Sequence, residues 1–316
     1  MRERMAVRSS KAKQKARKRG RTFSIITTSK SRLEHLKSSL PQMMHQPCAE
    51  VIVVDFSCPQ GSGEFVKLQF PTVRVVSVDG EDHFSNWAAR NAGASAATAD
   101  VLVFCDADTI LADNAIAWLS DNLPDNAFGV LNLAKPSHLR ANWSRLAVNQ
   151  LRGFHAVPAT AFREIGGYDE VLQGYAAGGD IDLVDRLKLS GLVRYPLAIE
   201  MIQSVVAHDD SDRMQHHADP VRISYCAGLL YRSAKLALLR LRDKLELTLA
   251  SRRDLYEVAR KAARALKSPN DSAGMMVMVE VEPIHMPRVL GYEKGVQKLS
   301  LKVEISPKDG LDSFPG

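Results

Sequence analysis

Apolar residues along the first third of the chain fall into short unbroken runs separated by stretches with helical spacing. Phe23-Ser24-Ile25-Ile26-Thr27-Thr28 is β-rich, and Leu33, Leu36, Leu40 and Met43 follow it at intervals of a helix turn. Val51-Ile52-Val53-Val54-Asp55 is almost continuously apolar, the pattern of a strand whose two faces are both covered. Val73–Val78 reads as a third strand, Asn86–Ala97 as an alanine-rich helix, and Val101–Cys105 as a fourth strand. Strand and helix alternating in this order predict an α/β domain with a mostly parallel central sheet and right-handed crossovers.

Farther on, Gly153–Val157 reads as a short strand, Thr160–Ile165 as a helical turn, and the stretch from Asp182 to Lys188 as helical. Residues 220–267 form a leucine-rich helical region. Its leucines, among them Leu229, Leu230, Leu236, Leu239 and Leu241, spread around the helix, which predicts packing on two neighbours rather than lying on a bilayer. Met275–Glu282 and Leu299–Ile305 read as strands, with Gly291, Gly295 and Gly310 as breaks.

The chain has 316 residues, 45% of them hydrophobic, enough for a substantial core. No stretch is apolar over the roughly 18 residues a membrane span needs, and the N-terminus lacks the apolar segment of a signal peptide, so a cytoplasmic protein is expected. Cys48, Cys58, Cys105 and Cys226 form no C-x-x-C pair, which suits reduced thiols rather than a disulfide or zinc framework. The net charge of +6 is concentrated at one end: residues 1–21 hold ten Lys or Arg against Glu3, a local +9 that leaves about −3 for the remainder. Such a block stays solvated, and its charge suits weak peripheral contact with anionic lipid; no nucleic-acid partner is expected. The predicted organisation is a basic disordered tail (1–21), an α/β domain (22–215), a helical extension (216–268) and a C-terminal segment with short strands (269–316).

The candidate chemistry lies at strand ends. Asp106-Ala107-Asp108 follows the fourth strand directly, which puts two carboxylates at the sheet rim where hard oxygen ligands could hold a divalent cation. Ligands of open α/β sheets gather at the carboxyl ends of the strands, and Asp55 lies at another such end. A nicotinamide enzyme is disfavoured, because no G-x-G-x-x-G follows the first or second strand.

FSIITTSKSRLEHL (23–36), VIVVDFS (51–57), NWAARNAGASAATADVLVFCDADT (86–109), GGYDE (166–170) and GGDIDLVDRL (178–187) occur in an order that resembles the family 2 type of GT-A glycosyltransferases. The second half is similar to the galactosyltransferase-like branch. The resemblance covers about residues 22–210 and implies a Rossmann-like GT-A core with a helical C-terminal extension. It implies a metal-dependent inverting transfer, with Mn2+ or Mg2+ as cofactor, from a nucleotide-sugar, generally a UDP-sugar, to a hydroxyl of a glycan or other acceptor. By the same resemblance Asp55, Arg32 and Arg90 contact the nucleotide or its diphosphate, Asp106 the ribose or metal, and Asp108 and His208 the metal. His216 and His217 are weaker metal candidates. Asp180 falls on the catalytic base, and Asp182 lies in the acceptor segment, where it could equally act as a first-turn acid of a helix.

Two positions depart from the family pattern. Phe56 stands where many relatives have a second aspartate, and Gly179 replaces the glutamate that precedes the base. These departures keep open a non-catalytic nucleotide-sugar-binding protein. A sugar-nucleotide nucleotidyltransferase is the other alternative, although Thr27-Thr28-Ser29-Lys30-Ser31-Arg32 lacks the glycine-rich basic loop that it needs after the first strand.

Overall fold

A computed structural model of the chain describes residues 20–133, 151–174, 176–206, 216–217, 219–268, 271–284 and 295–306. β1 (Phe23–Ser29) is buried along its whole length, as a strand flanked on both edges and covered on both faces must be. It pairs in parallel with β2 (Glu50–Phe56) on one side and β4 (Val101–Phe104) on the other. β3 (Arg74–Val78) extends the parallel set beyond β2. The helices between these strands are α1 (Leu33–Met44), α2 (Ser62–Gln69) and α3 (Asn86–Ala96).

The sheet has seven strands in the order β3-β2-β1-β4-β7-β6-β8, with β6 (Ala127–Leu131), β7 (His155–Pro158) and β8 (Val193–Leu197) completing it. β7 runs against both of its neighbours, while β6 and β8 are parallel to each other. The expected α/β architecture with a mostly parallel sheet is therefore the observed one. A separate two-stranded ribbon joins β5 (Thr109–Leu111), which follows the D-A-D turn, to β9 (Ile202–Val205). α4 (Ala115–Asn122) precedes β6 and α5 (Ala159–Glu164) follows β7; α6 (Gly179–Leu189) precedes β8.

The leucine-rich region is two helices, α7 (Val221–Arg242) and α8 (Leu249–Arg264), rather than one continuous element. Asp243, with φ 49°, breaks them apart in the left-handed region. Their apolar faces pack on each other and on the antiparallel pair β10 (Ala273–Ile284) and β11 (Gly295–Ile305) in one cluster that includes Leu230, Tyr231, Leu255, Tyr256 and Met275. No described helix is long and apolar enough to cross a membrane. The N-terminal tail, 1–19, lies outside the described residues.

A buried ionic cluster fastens this helical extension to the sheet domain. Lys235 on α7 is fully buried and its Nζ lies 2.6 Å from Asp169, 3.2 Å from Asp182 and 3.0 Å from Glu246. Arg186 on α6 pairs with Asp182 at 2.7 Å and Glu246 at 3.3 Å, while Arg252 on α8 pairs with Asp169 at 2.8 Å. Tyr231 donates to the same Asp169 at 2.5 Å. Burial alone would raise the Asp169 carboxyl, but Lys235 and the hydrogen bonds from Lys235 and Tyr231 hold it down to about 2.

Three acids and three bases balance here, so deleting one leaves a buried charge uncompensated. Lys235→Ala should lower the unfolding free energy by about 3–5 kcal/mol, the range for breaking a buried ion pair from one side. Urea denaturation followed by circular dichroism measures it; a loss under about 1 kcal/mol would mean that the cluster does not tie the extension down.

Candidate active site

The D-A-D turn is held by its neighbours rather than left as a loose loop. The Thr109 amide donates to the Asp106 carbonyl at 3.0 Å, Ser39 Oγ to the Ala107 carbonyl at 2.6 Å, and the Val206 amide to the Asp108 carbonyl at 2.7 Å. Asp108 is only 6% exposed, and the Thr109 hydroxyl donates to its Oδ1 at 3.3 Å. Val206 lies two residues before His208, so the chain leaves β9 beside Asp108. His208 itself lies outside the described residues.

Arg90 occupies the centre. It sits on α3, whose first turn is capped by Ser85 Oγ accepting from the Ala88 amide at 3.2 Å, and its side chain is 1% exposed. One terminal nitrogen pairs with Asp106 Oδ1 at 2.6 Å; the other pairs with Asp180 Oδ1 at 3.2 Å and donates to the Tyr168 hydroxyl at 2.8 Å. The guanidinium also stacks over the rings of Phe104 and Tyr168, 5.7 and 5.4 Å from their centroids. Burial would lower its pKa, but Tyr168, Asp106 and Asp180 outweigh that and keep it above the ordinary arginine value.

Gly153 makes the close approach possible. A Cβ there would lie 2.5 Å from Asp106 Oδ2 and 2.6 Å from Arg90 Nη2, so any side chain would force the pair apart.

Asp180, in the first turn of α6, completes the arrangement with its side chain 24% exposed. Its pKa is raised from 3.8 to about 7, chiefly by burial and further by Asp106, against the lowering effect of Arg90 and Arg152. His155 Nδ1 is 3.6 Å from Asp180 Oδ1 and 3.1 Å from the Gly153 carbonyl. Burial and then Arg90 push His155 down to about 3, so the ring is neutral at physiological pH and its Nδ1–H donates to that carbonyl.

Asp106, Arg90 and Asp180 thus come together, while other expected site residues lie elsewhere. Arg90, expected at the nucleotide or diphosphate, is buried and paired with Asp106, Asp180 and Tyr168. Asp182 was expected at an acceptor, yet it is 4% exposed and takes Arg186 and Lys235 as partners, a consequence of its (i, i+4) spacing from Arg186. Asp55 stands at the end of β2, but its Oδ1 accepts from the Cys58 amide at 2.8 Å and its Oδ2 from the Gly63 amide at 2.6 Å. That carboxylate closes the β2–α2 turn. Arg32 precedes α1 and its Nη1 is 3.5 Å from His35 Nε2. His216 is 3.1 Å from Ser31 Oγ, beside the loop after β1, and its pKa is lowered by burial and by Lys30, Arg32 and His83.

His155, Tyr168 and Trp87 were not singled out from sequence. Tyr168 and Trp87 both lie inside quoted segments, and their rings stack at 5.2 Å with a 23° interplanar angle. His155 carried no such signal, since a lone histidine in an apolar run is indistinguishable from a core residue.

Residues 25–124 match the family described as "Glycosyltransferase like family 2". That match covers about a third of the chain, within the sheet domain, and makes this part similar to the family. Among curated proteins, no sequence matches it. Among solved structures, GalNAc-T7 with UDP, GalNAc and Mn2+ is similar at 14% identity and a TM-score of 0.50, over 77% of this chain and 55% of that one. The mannosyltransferase PcManGT from Pyrobaculum calidifontis, in complex with GDP-Man and Mn2+, gives 15% identity and a TM-score of 0.49 over 79% and 77% of the two chains. S. aureus TarS gives 12% and 0.49, over 77% and 71%. The sheet domain has the GT-A fold.

The raised Asp180 carboxyl has a thermodynamic signature. Because its folded pKa of about 7 exceeds the usual 3.8, its contribution to stability is fully present below about pH 4 and is lost as pH rises through about 7. Asp180→Asn stays neutral throughout, so its melting temperature should exceed the wild type's at about pH 8, with the gap closing toward pH 4. Scanning calorimetry across that range checks it, and a gap independent of pH contradicts the assignment.

Proposed function

We propose that the chain is a metal-dependent inverting glycosyltransferase that moves a sugar from a nucleotide-sugar, a UDP-sugar in this reading, to a hydroxyl of a glycan or other acceptor. The observation that carries the proposal is the double grip of Arg90, which sets the first carboxylate of the D-A-D turn and Asp180 on two arms of one guanidinium. A donor-side carboxylate and a candidate base on the same rigid cation suit a reaction in which a bond to a diphosphate breaks while a hydroxyl loses its proton.

Asp106 and Asp108 fit a hard divalent cation. Both are oxygen donors, and Asp106 keeps Oδ2 without a hydrogen bond among the described residues, since Arg90 takes Oδ1. Among the described residues no three His, Cys, Asp or Glu side chains converge, so the remaining positions would fall to the diphosphate, water and His208. Bound there, Mn2+ or Mg2+ would neutralise the diphosphate and the charge that develops as it leaves. The Mn2+ and UDP of the GalNAc-T7 structure are compatible with this choice.

The protein's own part is positioning and proton transfer. Asp180 accepts the proton of the acceptor hydroxyl as that oxygen attacks the anomeric carbon from the face opposite the diphosphate, which inverts the configuration. A carboxyl near 7 suits a base working at neutral pH better than an ordinary aspartate. Arg90, itself bonded to the Tyr168 hydroxyl, holds Asp180 in place, and neutral His155 leaves it as the basic group of the set. Arg32 would approach the nucleotide from the β1 rim, with Asp55 shaping the turn below it.

Asp180→Asn should reduce transfer by about a hundredfold or more while leaving the affinity for the nucleotide-sugar nearly unchanged. Asp108→Ala should abolish the metal-dependent turnover of the same donor. The wild-type kcat should rise with pH through about 7, because the carboxylate must be ionised to accept the proton. Steady-state kinetics with Mn2+ and a donor panel read all three, and retained transfer in both variants would end the proposal.

A further inference from the structure

Arg232, on α7, is a cation near Asp182 and Asp185, yet it has no hydrogen-bond or ion-pair partner among the described residues. It is half-buried, its Nε is enclosed with no hydrogen-bond partner, and none of its nitrogens makes an ion pair among the described residues. Burial lowers its pKa, and the charges that reach it, Asp182, Asp185 and Tyr225, offset only part of that. Asp182 is already committed to Arg186 and Lys235, and Asp185 pairs with Lys188 at 4.0 Å. A partly desolvated guanidinium left in this state is costly unless a ligand completes it.

Its place in the fold indicates which ligand. The guanidinium lies flat against Gly178: a Cβ there would be 2.7 Å from Nε, 2.8 Å from Cζ and 3.0 Å from Nη2. On the next residue, Gly179, a Cβ would be 2.4 Å from Cε2 of Trp87. Gly178-Gly179 is thus bordered by a guanidinium with no partner among the described residues and by an indole, and Asp180 comes next in the chain. Position 179 is where the family pattern has a glutamate. Here the indole fills that space, and the negative charge that would repel an anion is gone.

We infer that Arg232 holds an oxyanion, a carboxylate or phosphate carried by the acceptor, while the acceptor's hydroxyl faces Asp180. The inference rests on the transferase reading and names its acceptor class: an acidic sugar or a phosphorylated acceptor. The planar fork of arginine matches either group with two parallel hydrogen bonds. Trp87, stacked on Tyr168, walls the same ground with a ring in place of a carboxylate.

Titration calorimetry on the full chain tests this with three probes: methyl β-D-glucuronide, inorganic phosphate and neutral methyl β-D-glucoside. The wild type should bind glucuronide or phosphate about tenfold more tightly than Arg232→Gln does, and the glucoside equally in both. The tighter of the two anions tells a carboxylate acceptor from a phosphorylated one. Equal anion affinities in the two proteins overturn the inference. Wild-type protein alone gives a second measurement should the variant fail to fold: phosphate must displace the glucuronide, and saturating UDP with Mn2+ must not. Independent binding of the two anions, or displacement by UDP, overturns it by assigning them to separate sites or to the donor diphosphate. Absence of nucleotide-sugar turnover with probe binding intact would sink the transferase reading and leave the anion site standing.

Discussion

Everything around the candidate site depends on one buried guanidinium. Arg90 is 1% exposed and carries a full charge that water cannot reach, so the fold must surround it with acceptors. Those acceptors come from far apart in sequence: Asp106 after β4, Tyr168 in the turn after α5, and Asp180 at the start of α6. Removing any one leaves the cation short of a partner, and moving any one shifts the others. The result is a rigid link between the D-A-D turn and α6, which a set of solvated side chains would not provide.

A second charged cluster stiffens the other side of α6. Asp182 is two residues beyond Asp180 and is clamped by Arg186 on its own helix and Lys235 on α7. Arg186 also donates to the carbonyls of Ile165 and Gly167 at 2.6 and 2.7 Å, so the turn that carries Tyr168 is held by the same side chain. Tyr168 therefore answers to both clusters, through Arg90 at its hydroxyl and through Arg186 at the backbone before it. The helical extension is in this sense part of the site's foundation: α7 and α8 supply the cations that let Asp169 and Asp182 be buried. Such clusters are weak evidence for net stability, since burying ions is expensive, but they fix one geometry because any other leaves a charge unpaired.

Much of the frame was legible in the sequence and much of the site was not. β1, β2 and β4 announce themselves as apolar runs because a strand covered on both faces has no room for alternation. β8, with Arg194 and Pro196 among its residues, is an edge strand exposed over much of its length, and its pattern carries no such signal. The acids of the D-A-D turn and Asp180 were recognisable by type and order. What hid was pairing: nothing in NWAARN distinguishes an arginine that faces a phosphate from one sealed against two aspartates, because burial is decided by residues some 16 to 90 positions away. The pairing of Asp182 was hidden for the same reason. Its partner Lys235 sits 53 residues on, in a helix whose periodicity shows only that it packs.

The glycine at 179 then has an electrostatic meaning beyond the room it gives Trp87. Asp180 already stands near 7 because it is buried and feels Asp106, with Arg90 and Arg152 pulling the other way. Another carboxylate on the adjacent residue would add like charge at short range and push Asp180 higher still, leaving it protonated at neutral pH and unable to take a proton. With glycine at 179 and the Trp87 indole in the space a side chain there would need, that extra repulsion is absent. In the proposed reading, the space that Trp87 fills and a base at Asp180 are thus linked through Gly179, and Arg232, which has no partner among the described residues, adds positive charge at the neighbouring Gly178.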